Sequence, residues 1–324
     1  MTENTLDFAL KPYGSSITKR LTNEALEDML YEPMQCLDKG FVRLIDYMGG
    51  DEAIVQAARV SYGGGTKKVS EDRGLIRYLL RHRHTTPLEM CEIKFHCKMP
   101  IFIARQWIRH RTANVNEISA RYSILVNEFY IPHSDNIMPQ STNNKQGRDG
   151  ALTPDQAQAV MSLLTEEASR TYANYRLLNG EKDVDNWRYA DTEYDGEQQS
   201  KLLVDGDFDG IARELARMGL SLNMYTEWYW KIDLHNLLHF LCLRLDSHAQ
   251  YEIRVFAEAM AEVVKAWCPA AYGAFEDYRL NSAEFSAQEL AMIKDALAQA
   301  PAIFKPESLS TREYGEFNKK LGLD

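Results

Sequence analysis

The sequence predicts an α+β fold: a single compact domain in which helices pack on a mixed or antiparallel sheet. Three observations carry that prediction. Segments with a two-residue apolar period lie among segments with a helical period. These segments do not follow the regular strand–helix alternation that a doubly wound parallel sheet requires. No boundary-like linker divides them, so the elements share one core and the remainder is surface extension.

In chain order, residues 1–36 read as a polar, partly helical N-terminal extension, 37–280 as the domain, and 281–324 as a C-terminal extension. Phe41 to Met48 is apolar and strand-like. Asp51 to Val60 predicts a helix capped by Asp51, with Ile54, Ala57 and Ala58 on one side. Glu71 to His82 predicts a second helix, with Leu75, Leu79 and Leu80 on one face. From Glu92 to Lys98 the residues alternate. Ile93, Phe95 and Cys97 point one way, and Glu92, Lys94, His96 and Lys98 the other, which predicts a strand with one covered face. Pro100 then opens a helix running to about Arg111.

The stretch TANVNEIS has no periodicity and reads as a loop, and Arg121 to Tyr130 reads as extended. Insertions are placed near 133–155 and 181–207, the first because His133 to Leu152 is polar and reads as a mobile loop. Thr153-Pro154 is a helix start, and the helix should stop at Gly180. The second insertion carries nine acidic and three basic residues. A helix is expected over Asp209 to Met218 and a β-prone aromatic run over Asn223 to Ile232. Asp233 caps a helix to about Arg244. Ser247 caps a longer helix with the stripe Ile253, Phe256, Ala257, Met260 and Val264, and the tail holds one more helix-like run, SAQELAMIKDALAQA.

Net charge is -10 over 324 residues, which disfavours general nucleic-acid binding. Residues 71–111 nevertheless carry nine Lys or Arg against four Asp or Glu. A basic island in an acidic chain suits a small anionic ligand, although a solvated helix face has the same composition. Five cysteines, an odd number without a CxxC, fit reduced thiols and a cytoplasmic location. No basic start followed by an apolar core marks a signal peptide, and no apolar run is long enough to span a bilayer, so no membrane association is expected.

The chemistry concentrates between Gln106 and Ser123. Arg105 and Arg109 are four apart on the expected helix, which ends Arg109-His110-Arg111. The following loop supplies Glu117, Ser119, Arg121, Tyr122 and Ser123. Hydroxyls, a carboxylate and arginines together suit a phosphate and the polar edge of a ring. A helix end also welcomes cations for dipole reasons alone. His235, His239 and Cys242 have zinc-like spacing, but no fourth ligand is evident and a packed helix face explains them, so no metal is expected. Gly63 to Lys68 lacks phosphate-loop spacing, and no GxGxxG fingerprint is present.

The pattern Arg109-His110-Arg111, seven residues, then Ser119, continued by Arg121-Tyr122-Ser123, resembles the signature of flavin-dependent thymidylate synthases. Further segments resemble that family in the same order: LDKGFVRLIDYMGGDEAIVQAARVSY, LLRHRHTTPLEM, FIARQWIRHR, ARMGLSLNMYTEWYW and LHFLCLRLDSHAQYEIR. The resemblance covers roughly 37–131 and 156–275 without the acidic insertion, and the two extensions have no evident counterpart in it.

The resemblance implies a homotetrameric fold with sites shared between subunits. It implies methylation of dUMP to dTMP with FAD, and with NADPH and methylenetetrahydrofolate as co-substrates. Gln106, Arg109, Ser119, Ala120, Arg121, Arg217 and Arg244 match dUMP-contacting positions, Ala120 standing where some members have Gly. Thr86, His84, Arg109, His110, Arg111, Glu117, Asp233 and His239 match positions at or near FAD, the last two standing where some members have Asn. Arg244 is the catalytic candidate, because a permanent cation beside the ring stabilises the anion left when uracil N3 loses its proton. Its plain structural alternative is a helix-end cation paired with Asp246. The thiolate type of thymidylate synthase usually places its cysteine in Pro-Cys-His, and no cysteine here has that context.

Overall fold

A computed structural model describes residues 17–60, 69–142, 147–181, 203, 206–297 and 305–322. Contacts group the chain into two units, Met1–Phe275 and Glu276–Asp324. The run Gly63 to Lys68 and most of the acidic insertion lie outside the described residues.

The first unit is built on five strands: β1 (Pro33–Cys36), β2 (Gly40–Met48), β3 (Glu92–Pro100), β4 (Asn114–Glu117) and β5 (Tyr225–Asp233). They form one sheet in the order β1-β2-β3-β5-β4, antiparallel at every pairing. The expected α+β class is therefore realised with an antiparallel sheet. Gly40 is required where β1 turns into β2, because a Cβ there would lie 2.7 Å from the carbonyl oxygens of both Cys36 and Lys98.

Three strand expectations change. The segment read as a polar N-terminal extension contributes the edge strand β1 and a short helix, α1 (Glu24–Glu27), whose Leu26 is fully buried. The stretch read as the loop TANVNEIS contains β4. All four of its residues are exposed, so it has no burial period to read, and its partner β5 defines it. The strand β3 is covered on both faces over most of its length, not on one. It is the central strand. His96 lies between the rings of Phe41 and Tyr229 and meets Glu227 at 2.9 Å, while Lys98 is paired with Glu128 and Glu227. Alternation shows which face is apolar, but it does not show whether neighbouring side chains cover the polar one.

Helices α2 (Asp51–Val60), α3 (Val69–Arg81) and α4 (Thr86–Glu89) connect β2 to β3, α5 (Ile101–Trp107) follows β3, and α6 (Pro154–Leu178) is the longest. After it come α7 (Arg213–Ala216), α8 (Leu234–Arg244), α9 (Tyr251–Trp267) and α10 (Pro269–Phe275). The α9 stripe of Ile253, Phe256, Ala257, Met260 and Val264 is fully buried, as its spacing predicts. Its cap is Gln250 instead of Ser247, whose carbonyl instead accepts from Arg254. The apolar sheet face (Ile93, Phe95 and Cys97 with Trp228, Trp230 and Ile232) is buried with Trp107 and Phe240. Each such large apolar side chain contributes about 1.5–3 kcal/mol by leaving water.

The capping box Thr153–Gln156, with Pro154 between, starts α6 as predicted. The expected cap at Asp51 is not made to its own helix: its carboxylate accepts from the N–H groups of Ala270 and Ala271, at 2.7 and 3.0 Å, and so caps α10. Burial raises this carboxyl above its usual range, against those two bonds. Asp209 to Met218, expected as one helix, yields only α7 and a 3₁₀ turn, Arg217–Gly219. Arg121 to Tyr130, read as extended, begins in a turn, and its later part makes the bridge Phe129–Met224. A Cβ on Gly180 would lie 2.5 Å from the Asp209 oxygen, and one on Gly210 2.7 Å from the Gly180 nitrogen. The acidic insertion thus leaves and re-enters the domain at one neck.

In the second unit, helix α11 (Ala287–Leu297) realises the expected helical run. Helix α12 (Thr311–Leu321), which the sequence reading lacked, is opened by a capping box between Ser310 and Glu313. Among the described residues no helix is long and apolar enough to cross a membrane.

Candidate active site

Strand β3 runs directly into α5, whose Ile103, Ala104 and Trp107 are buried. Trp107 stacks on Phe240 at 5.1 Å and meets Trp228 and Trp230 edge-on. The helix ends there, earlier than the expected Arg111. The buried face that Ile103 and Trp107 supply is not continued by Arg111, which is exposed. His110 N–H closes the end on the Trp107 carbonyl at 3.0 Å. Arg109, His110 and Arg111 therefore lie past the helix, and Arg105 and Arg109 do not share a helical face.

The tail of α5 docks on α8. The His110 ring sits edge-on to Phe240 at 4.9 Å and 6.4 Å from His239. Arg244, the last residue of α8, donates from Nε to His110 Nε2 at 3.1 Å. Burial first, then the charges of Arg244 and His239, push His110 down to about 4, so it is neutral near pH 7. The expected alternative partner of Arg244 is occupied elsewhere: the Asp246 carboxylate accepts from His248 N–H at 2.7 Å and faces His248 Nδ1 at 2.9 Å. Those bonds hold Asp246 below its ordinary range. Arg244 is thus a half-buried cation whose hydrogen-bond partner is an imidazole, and burial lowers its pKa.

Asp233 caps α8, its carboxylate accepting from Asn236 N–H at 2.9 Å and Asn236 Nδ2 at 2.7 Å. Thr86 opens α4, which packs against α8, and His84 just before it stacks on Tyr78 at 5.7 Å. Gln106, on the last turn of α5, has a buried Oε1 with no hydrogen-bond partner. Buried amide oxygens are rarely left so, and this one is available to a ligand donor. Contacts join His110, His239 and Arg244; Gln106 and Arg109 adjoin His110 along the chain, while Asp233 stands at the opposite end of α8 from Arg244, and Thr86 and His84 stand at the start of α4.

A second group gathers after β4. Glu117 accepts from Thr226 Oγ1 at 2.6 Å. The chain then turns: the Ser119 carbonyl accepts from Tyr122 and Ser123, and Ser119 Oγ accepts from Arg121 N–H at 3.3 Å. Ala120 is buried in this turn, while Tyr122 is exposed beneath the Arg121 guanidinium. Arg213 donates to the Tyr122 carbonyl at 2.9 Å and so holds α7, with Arg217 behind it, against the Ser119 turn. Arg213 was not singled out from the sequence. Its signal is the four-residue spacing from Arg217, which places two arginines on one side of a short helical turn. Among the described residues no hydrogen bond, ion pair or ring contact joins the second group to the first.

Arg105, Arg109, Arg111, Arg121, Arg217 and Arg244 have no carboxylate partner among the described residues, in a chain with 47 Asp and Glu. Guanidinium groups spared from internal ion pairs suit phosphate and pyrophosphate groups. This donor set and the free Gln106 oxygen fit a nucleotide and a dinucleotide cofactor. Among the described residues no three His, Cys, Asp or Glu side chains group as metal ligands.

Comparison with known proteins agrees with this chemistry. Residues 43–270 match the family model described as thymidylate synthase complementing protein. The chain is 56% identical over 306 residues to a flavin-dependent thymidylate synthase of Rickettsia conorii, covering 94% of this chain and 99% of that one. A flavin-dependent thymidylate synthase of Gluconobacter oxydans is 54% identical over 300 residues, 93% and 91% of the two chains. A UMP/dUMP methylase from Streptomyces cacaoi, solved with 5-Br dUMP, superposes with a TM-score of 0.61 at 29% identity, covering 77% of this chain and all of that one. A match over 306 of 324 residues is too long to omit both terminal extensions, so these relatives share much of the sequence for which the motifs gave no counterpart.

Proposed function

The chain belongs to the flavin-dependent thymidylate synthase family, and from that membership we propose that it methylates dUMP to dTMP with FAD, taking its one-carbon unit from methylenetetrahydrofolate and its reducing equivalents from NADPH. The observation that carries the proposal is the set of six arginines (Arg105, Arg109, Arg111, Arg121, Arg217 and Arg244) without carboxylate partners among the described residues, together with the buried Gln106 oxygen that has no hydrogen-bond partner.

In this reading Gln106, Arg109, Ser119, Ala120, Arg121 and Arg217 hold the nucleotide. The arginines meet its phosphate, and Gln106 and the Ser119 turn meet polar edges of the ring. Arg244 faces the uracil ring and stabilises the anion formed at N3, which raises the nucleophilicity of C5. The flavin-facing set is Thr86, His84, Arg109, His110, Arg111, Glu117, Asp233 and His239. Bound FAD supplies the hydride chemistry that no side chain provides. The Asp233 carboxylate is already engaged in capping α8, so its contribution is to hold the helix start, where backbone N–H groups suit an anion.

In this reading the two residue groups, which no bond joins among the described residues, come together in a site shared between subunits of a homotetramer. One subunit supplies the α5–α8 group, and another supplies the Ser119 turn with Arg217. Reduced cysteines and the soluble substrates accord with a cytoplasmic location. The test is dTMP formation from dUMP, methylenetetrahydrofolate and NADPH, with and without FAD. Product should require all four, and flavin-loaded protein that makes none refutes the proposal.

A further inference from the structure

We propose that His110 is a positioning residue for Arg244: its Nε2 accepts the Arg244 Nε–H and so turns the two terminal NH₂ groups of the guanidinium toward the substrate ring. The inference rests on the reading of Arg244 as the ring-facing cation and adds a cause for its orientation.

A guanidinium has five N–H donors in one plane. When Nε–H is tied, the chain loses freedom about its last torsions, and the edge formed by the two terminal nitrogens remains for a ligand. That edge matches two adjacent acceptors, such as the N3 and the neighbouring carbonyl oxygen of an ionised uracil. A carboxylate would tie the arginine more strongly, but it would neutralise the charge needed at the ring. A neutral imidazole orients the group and leaves its charge intact. His110 must then carry its proton on Nδ1, with Nε2 as acceptor. The ring is itself held edge-on to Phe240. Phe240 stacks on Trp107, a fully buried residue three positions before His110. The acceptor thus stands on the aromatic core instead of on a free loop. The sequence offered Asp246, two residues away, as partner; the fold chose a residue 134 positions away.

The experiment compares His110→Phe, His110→Gln, Arg244→Lys and the double variant His110→Phe/Arg244→Lys, all saturated with FAD, whose binding is measured separately by flavin fluorescence. Phe keeps the ring packing and removes the acceptor; Gln places an oxygen near the former Nε2. Misplacing a reacting group by about 1 Å costs on the order of 10²-fold in rate. His110→Phe should therefore lower kcat by roughly that factor with dUMP still bound, and Gln should restore most of it. In the Arg244→Lys background the Phe substitution should cost little more, because the partner it acts through is already changed. If the two losses multiply instead, His110 acts through the flavin or another group and the proposal is overturned. Nitrogen NMR of the wild-type protein gives a reading that needs neither variant nor turnover. Nε2 must be the unprotonated ring nitrogen near pH 7, and a protonated Nε2 overturns the assignment. Wild-type protein that makes no dTMP would instead refute the functional reading, while the NMR result would still report on the His110–Arg244 bond.

Discussion

The segment 133–152, which the sequence reads as a mobile loop, is anchored in the described residues by one ion pair, and that pair can be tested quantitatively. Glu252, the second residue of α9, is 3% exposed. Its carboxylate faces Arg148 at 3.1 Å, accepts from the Tyr130 hydroxyl at 3.2 Å and accepts from Gln250 Nε2 at 2.9 Å. Arg148 also donates to the Asn136 carbonyl at 2.7 Å and lies over the Tyr251 ring. Arg148→Met keeps the apolar stem and strands the carboxylate. Stranding a fully buried charge costs about 3–5 kcal/mol. The Arg148 side chain is 30% exposed, so water screens part of the interaction and about 2–3 kcal/mol is expected. Glu252→Gln removes the buried charge and keeps an acceptor for Tyr130, while the partly exposed Arg148 turns to water, so about 1 kcal/mol is expected. The double variant should cost less than the sum, with a coupling of about 1–2 kcal/mol. Urea unfolding at one fixed protomer concentration, followed by tryptophan fluorescence, gives all three values. An Arg148→Met cost within about 0.5 kcal/mol of zero, or strict additivity, would show that the pair does not anchor the loop.

Arg244→Lys should lower turnover by about 10²-fold while FAD still binds, since Lys keeps the charge and loses the planar fork; unchanged kcat would reduce Arg244 to a helix-end cation. Replacing all five cysteines should spare dTMP formation in any variant that folds. Burial pushes Cys36 up to about 12 and raises Cys97 and Cys268, so none of these three is a ready thiolate, and loss of activity in folded protein would revive thiolate chemistry. His110 has a folded-state pKa of about 4, below its unfolded value of about 6.5. Between those values the unfolded chain binds more protons, so this contribution is complete above pH 6.5 and is lost as pH falls through 4. Flavin-free wild type should lose stability across that window more steeply than His110→Gln, and a His110 ring that titrates near 6.5 by NMR contradicts it. Ser119→Ala and Arg244→Ala proteins, each inactive alone, should regain activity when refolded together; demonstrated mixed tetramers without activity would show that these residues are not divided between chains.

Local signals were legible because the atoms that decide them are close in sequence. The Thr153-Pro154-Gln156 start of α6, the α9 stripe and the apolar side of β3 each depend on residues within one or two turns or on a two-residue alternation. The spacing from Arg109 to Ser119 pointed to the family without any coordinates, because it is an order of charged and hydroxyl groups along the chain, and the family match over residues 43–270 agrees. Tertiary closure decided the rest. Asp51 looks like the cap of its own helix, yet it caps α10, some 219 residues onward, because α10 brings unsatisfied N–H groups to it. β4 has no pattern of its own and exists because β5 offers hydrogen bonds along its edge. Arg244 is two residues from Asp246 and binds His110 instead, because α8 delivers its last turn to the tail of α5. Periodicity reports a residue's preference for water or core, but a hydrogen bond or ion pair depends on which group the packed chain brings within about 3 Å, and that distance is set by elements far apart in sequence.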